Sequence, residues 1–217
     1  MEKSEKAGEV VFIIGHIPPG HCTFLTECNK RYNILIERYQ NIIRGQFFGH
    51  THNDEFKIIK DYYTHKNSTG IILTAPSLTT YYKFNSRYSF LNPSFRVYNI
   101  EKDSFYLKDY LQYRLNITKA NMQPDIDPQW EIAYNSSQAF GVTHLYDYTR
   151  FDLAIAKITN DKDYFNFIFD MYFSQGSHEK QRKLRNMPKY ISCRFKSETL
   201  TRFFECTGFR TCNIYLS

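Results

Sequence analysis

The sequence predicts a layered α/β (α+β) fold followed by a helical carboxyl-terminal section. Three observations predict it. "VVFII" (Val10 to Ile14) is a short apolar run rich in β-branched residues, the pattern of a buried parallel strand. A segment with apolar residues at helical spacing follows it, and then the apolar "QFF" (Gln46 to Phe48). Beyond residue 145 the apolar residues recur with a helical period.

Each element has its own signal. The first strand ends at Gly15. Tyr32, Leu35, Ile36, Tyr39, Ile42 and Ile43 share one helical face, and Gly45 suits the left-handed position that ends such a helix. "QFF" is the second strand, closed by Gly49. Strand, helix, strand is a parallel crossover, right-handed by the general rule. Two parallel strands finish on one sheet edge, where layered α/β folds bind ligands. His16, after Gly15, is therefore expected beside His50 and His52, after Gly49. Next come short strands at "FKII", "GIILTA" (70–75) and "FRVYNI" (95–100). "FYLKDYLQYRL" (105–115) alternates, placing Phe105, Leu107, Leu111, Tyr113 and Leu115 on one face. "NDKDYFNFIFDMYFSQG" (160–176) returns to helical spacing, with Asn160 or Asp161 as N-cap and Gly176 as stop. A boundary near residue 145 divides the chain into 1–145 and a mainly helical 146–217.

Composition narrows the partners. The 217 residues suffice for one sizeable core, or for a domain and a smaller appendage. With 18% aromatic residues the chain suits packed sheets and argues against disorder. A formal charge of +6 favours anionic partners such as phosphate esters or an anionic membrane surface. A nucleic-acid polymer is the weaker match, because the basic residues are scattered and form no known reading module. The densest run, "KQRKLR" (Lys180 to Arg185), reads as a solvated helix face or loop. No apolar stretch reaches the roughly 18 residues a transmembrane helix needs. The opening "MEKSEKAGEV" lacks the apolar centre of a signal peptide, whereas five cysteines and sequons at Asn67, Asn116 and Asn135 suit a secreted chain.

The histidines carry the chemistry. "GQFFGHTHNDEF" (45–56) holds His50 and His52 one residue apart. Two readings stand side by side: ordinary loop histidines, or part of a metal site. Neutral imidazoles gathered on one edge bind zinc at about 2.0–2.1 Å. Two ions about 3.5–4 Å apart are a device for hydrolysing phosphate esters. The glycines before His16 and His50 are expected to keep side chains from crowding the site. Asp54 and Glu55 follow it as candidate acceptors for the ligands, or as solvated or locally paired carboxylates.

The wording around these residues adds to the periodicities. "GHIPPGHC" (15–22) with "QFFGHTHNDEF", continued by "TAPSLTTYY" (74–82), "NPSFRVYNI" (92–100) and "YRLNITKAN" (113–121), resembles the acid sphingomyelinase family of calcineurin-like metallophosphoesterases. The resemblance implies the carboxyl half of a β-sandwich flanked by helices, with a helical carboxyl-terminal subdomain. It implies a metal-dependent phosphodiesterase that hydrolyses sphingomyelin to ceramide and phosphocholine with two Zn2+ ions. By it, His16 and His50 match ligands of one zinc and His52 a ligand of the other. His21 matches no ligand and takes a structural or supporting role. A Cys193–Cys206 disulfide matches the family's last tail bridge. Cys22 matches a position whose family partner is missing here, leaving it free or paired with Cys28, and Cys212 matches none. Asn116 falls on a family glycosylation position. The full-length relatives are expected to be secreted or lysosomal.

The sequence departs from the family in its carboxylates. It has no Asp-x-His, and none of its nine glycines precedes Asp or Asn, although the family draws further ligands from such motifs. The resemblance therefore implies a carboxyl-terminal part of a longer enzyme, inactive alone. A sphingomyelinase-like nucleotide phosphodiesterase and a non-catalytic remnant of the family are the alternatives.

Overall fold

The parallel crossover forms around β1 (Val11–Ile14), α2 (Thr26–Arg38) and β2 (Ile43–Phe48), after a short α1 (Glu2–Ala7). The computed structural model describes residues 1–80, 90–176 and 186–210. β1 runs parallel to β2, with Ile13 opposite Gln46 and Ile14 opposite Phe47. β2 runs parallel to β4 (Ser68–Thr74), and β3 (Glu55–Lys60) is antiparallel to β4. The sheet order is β1-β2-β4-β3. A second, antiparallel sheet contains β5 (Ser94–Ile100), β6 (Leu107–Leu115) and β7 (Trp130–Asn135) in that order.

Among the described residues the remaining helices are α3 (Ile117–Met122), α4 (Ser136–Phe140), α5 (Tyr148–Lys157), α6 (Lys162–Tyr172), α7 (Met187–Lys196) and α8 (Leu200–Thr207). Their starts follow capping chemistry. Asp161 accepts from the backbone N–H groups of Asp163 and Tyr164 at α6, and Thr199 accepts from Arg202 N at α8. One apolar cluster joins both sheets to the helices, through Phe56, Leu73, Leu107, Phe151, Ile168 and Phe195. A smaller one, including Ile36, Phe48 and Ile59, seats α2 on the first sheet. Among the described residues no helix is long and apolar enough to cross a membrane.

Three sequence expectations are corrected. The α2 helix stops at Arg38, and Ile43 and Gly45 lie inside β2. A Cβ at Gly45 would come within 2.7 Å of the Phe47 ring, so this glycine serves strand packing rather than a helix end. The α6 helix ends at Tyr172, before Gly176, and Ser174 and Gln175 take the left-handed turn. In β6 the deeply buried residues are Leu107, Tyr110 and Gln112, whereas Leu111, Tyr113 and Leu115 are only half-buried. Asn99 faces Asp109 but Ile100 faces Leu107. The extra residue, Lys108, is a bulge, and it exchanges the two faces of the strand from Asp109 onward.

The tail disulfide Cys193–Cys206 forms, linking α7 to α8. Cys22 is disulfide-bonded and Cys28 is free, so they do not pair with each other. Lys180 to Arg185 and Cys212 lie outside the described residues.

Candidate metal centre

Both histidine loops leave the first sheet at the same edge, as the crossover requires. Gly15 N donates to Phe47 O at 2.9 Å and Gly49 N to His16 O at 3.0 Å, which continues the ladder past the strand ends. A Cβ at Gly15 would stand 2.5 Å from the Phe48 ring, while one at Gly49 would meet nothing nearer than 3.9 Å. Gly15 thus makes room for Phe48 rather than for a ligand, and Gly49 is not sterically required.

His16 and His50 come together. His50 Nδ1 lies 3.2 Å from His16 Nε2, and the rings meet edge to face with centroids 5.0 Å apart. His21 packs on the other side of His50 at 4.7 Å. His21 Nδ1 accepts from Thr23 N at 3.2 Å and lies 2.9 Å from Thr23 Oγ1, which is 3.2 Å from His50 Nε2. Burial, and then the Arg194 guanidinium, push the His21 imidazole down to about 3, so it is neutral in ordinary buffers. His52 stands on the same loop, its carbonyl accepting from Ser77 N at 3.4 Å.

His50 and His52 share a backbone peculiarity. Their φ angles are 71° and 62°, the left-handed region that non-glycine residues enter at a cost of order 1–3 kcal/mol each. Histidine tolerates it better than branched residues do. Strain repeated at alternate residues of one loop is expensive unless neighbouring structure holds it.

Two buried ion pairs do so. Asp54 and Glu55 are neither solvated nor locally paired. Arg96 of β5 donates from Nη2 to Asp54, and Tyr134 Oη donates to Asp54 Oδ2 at 2.7 Å. Arg96 also donates to Gln112 Oε1 and lies 4.0 Å over the Tyr110 ring. Burial raises the Asp54 carboxyl against the opposing pull of Arg96. Glu55, fully enclosed, takes three hydrogen bonds of 2.9–3.2 Å from Arg194 in α7. Its carboxyl is opposed by burial, but Arg194 and Lys57 together hold it below the usual range. Lys57 donates to Arg194 O at 3.0 Å, and burial pushes its amine down to about 7. The loop is thus tied to both sheets and to the tail. The other histidine loop is tied there too: Gly20 N donates to Asn29 Oδ1, and Asn29 Nδ2 donates to Glu198 O.

Zinc suits the pair His16 and His50. Two imidazole nitrogens about 2.0–2.1 Å from a tetrahedral ion sit roughly 3.3–3.4 Å apart, close to the 3.2 Å seen here. Among the described residues no set of three or more His, Cys, Asp or Glu side chains makes a complete metal site.

A family model described as "Acid sphingomyelin phosphodiesterase C-terminal region" matches residues 67–183, just over half of the chain. The chain belongs to the acid sphingomyelin phosphodiesterase family. Sphingomyelin phosphodiesterase of Bos taurus is 35% identical over 176 residues, covering 79% of this chain and 26% of that protein. The Homo sapiens sphingomyelin phosphodiesterase is 38% identical over 146 residues, 65% of this chain and 22% of its own length. Cyclic GMP-AMP phosphodiesterase SMPDL3A of Rattus norvegicus is 28% identical over 194 residues, 84% of this chain and 42% of that protein. The chain thus spans well under half the length of these sphingomyelin phosphodiesterase family members.

Thr23 and the two arginines escaped the sequence reading. Arg96 and Arg194 lie 42 and 139 residues from their carboxylates. Two acids after H-x-H were a signal, but they carried no pointer to a partner.

Proposed function

We propose that this chain supplies imidazole ligands to a zinc-dependent phosphodiesterase acting on sphingomyelin. The observation that carries the proposal is the approach of His50 Nδ1 to His16 Nε2 on one sheet edge. In this reading His16 and His50 hold one zinc and His52 turns to a second. When bound, the ions polarise the phosphate and supply a hydroxide nucleophile near neutral pH. The chain's own contribution is orientation. The strained loop fixes the two imidazoles of His50 and His52, and the Asp54–Arg96 and Glu55–Arg194 pairs resist its relaxation.

A bridging carboxylate, which holds two dications at a fixed distance, comes from motifs this sequence does not contain. The 217 residues alone are therefore expected to bind zinc without hydrolysing sphingomyelin. Identities to sphingomyelin phosphodiesterases (27–38%) overlap those to the cyclic GMP-AMP phosphodiesterases (28–29%), so the preference for the lipid rests on the wording "GHIPPGHC". The +6 charge supports docking at an anionic membrane surface. A glycosylated, secreted or lysosomal protein accords with the Cys193–Cys206 bridge, since disulfides persist in oxidising compartments.

Zinc titration of the purified chain, with His16→Ala and His50→Ala alongside, tests the ligands. Each variant should lose at least tenfold in affinity, and wild-type affinity in both would refute the assignment. For the substrate, the natural gene product carrying these residues should turn over sphingomyelin faster than a cyclic dinucleotide. The reverse preference would move the assignment to nucleotides.

A further inference from the structure

The hydrogen bonds around Thr23 are ordered by one donor whose role is fixed. A backbone N–H can only donate, and that of Thr23 reaches His21 Nδ1 at 3.2 Å. His21 Nδ1 therefore carries a lone pair, and the ring's proton is on Nε2. The Thr23 hydroxyl oxygen lies 2.9 Å from the same nitrogen. Two lone pairs facing each other at that distance repel, so the hydroxyl proton points to His21. With its proton committed, Thr23 Oγ1 acts as an acceptor. His50 Nε2, 3.2 Å away, is then the N–H that donates to it. A neutral imidazole has one N–H, so His50 Nδ1 keeps a lone pair and aims it at His16 Nε2.

We infer that Thr23 is a positioning residue that fixes His50 as the Nε2–H tautomer and so presents its Nδ1 as the cation ligand. For the neutral ring the tautomer follows from the hydrogen-bond order; its purpose rests on the zinc reading above. In the metal-free chain His16 Nε2–H donates to His50 Nδ1. For a cation to take both lone pairs, the His16 proton moves to its own Nδ1, which leaves both rings neutral and the proton count unchanged. The bond from Thr23 also opposes rotation of the ring about χ2, together with the His16 and His21 rings packed edge to face against it. Outer partners of metal-binding histidines act in this way, by setting tautomer and orientation.

Thr23 is exposed, so Thr23→Val removes the hydroxyl without disturbing a buried contact, and Thr23→Ser restores it. Long-range 15N–1H spectra of the imidazoles in the metal-free chain read the tautomer directly, and zinc titration reads its consequence. Wild type and Thr23→Ser should show His50 as Nε2–H. Thr23→Val should show a mixture of tautomers and bind zinc about 10–100-fold more weakly. A His50 Nδ1–H signature in wild type overturns the inference. So does a Thr23→Val variant that keeps the wild-type tautomer or the wild-type affinity. If the wild-type chain takes up no zinc at all, the metal reading fails, and the imidazole spectra still decide the tautomer.

Discussion

Glu55→Gln should be among the most damaging single-atom changes in this chain. It removes one charge from a pair whose side chains are 0% and 6% exposed, with the nearest oxygen 2.9 Å from Arg194 Nη2. At that distance and an effective dielectric of 20 the attraction is about 6 kcal/mol, gross of desolvation. Breaking one side of a buried pair costs about 3–5 kcal/mol, because the orphaned charge stays enclosed. Against a total stability of about 5–15 kcal/mol this removes roughly a fifth or more. Urea denaturation followed by near-UV circular dichroism measures it. Glu55→Gln with Arg194→Met should recover much of the loss, since neither charge is then left unpaired. The pair also sets a pH dependence. Its carboxyl is held below its ordinary 4.5, so its stabilisation is complete above that value and fades as pH falls through the lower folded value. Wild type and Glu55→Gln should therefore converge in acid. A single-mutant cost under about 1 kcal/mol, or no convergence, would refute the view that this contact holds the histidine loop.

Three further outcomes are expected. Paired Cys193→Ser and Cys206→Ser changes open a bridge between residues 13 apart and should cost about 3 kcal/mol by loop entropy, read from the denaturation midpoint. His50→Gly relieves a left-handed residue, so thermal unfolding should show stability unchanged or raised by about 1 kcal/mol while zinc binding falls; a clear destabilisation would show that the turn is not strained. For the sequons, glycopeptide mass spectrometry after secretion from a eukaryotic host should find Asn67, which is exposed, more fully modified than Asn135. The latter is half-buried, donates from Nδ2 to Asp109 and caps α4 through Oδ1; equal occupancy would contradict the ranking.

The crossover was legible because its signals are local. "VVFII" and "QFF" are short apolar runs, and right-handed parallel connection places their following loops side by side. That alone brought His16 to His50 across 34 residues. The end of α2 was not legible. Ile42 and Ile43 continue the helical spacing, and only pairing of Ile43 with Val11 makes the segment a strand, so tertiary contact overrode local pattern. The face of β6 was misread because a bulge leaves no mark in composition. The strain at His50 and His52 was hidden as well. Histidine enters the left-handed region more readily than most residues, but nothing in "GHTH" says that it does. Asp54 and Glu55 were visible as acids, and their burial was not, because it depends on arginines in β5 and α7.

Gly20 carries a consequence that reaches across the molecule. A Cβ there would stand 2.8 Å from the carbonyl oxygen of Ser197, so the first histidine loop lies directly against the turn that precedes α8. Asn29 fastens the same place from 169 positions away. Trimming the polypeptide before residue 197 would take away no proposed ligand, yet it would strip the floor from beneath one. Lesions at residues 197 and 198, far along the chain from the histidines, should thus present as lost metal uptake.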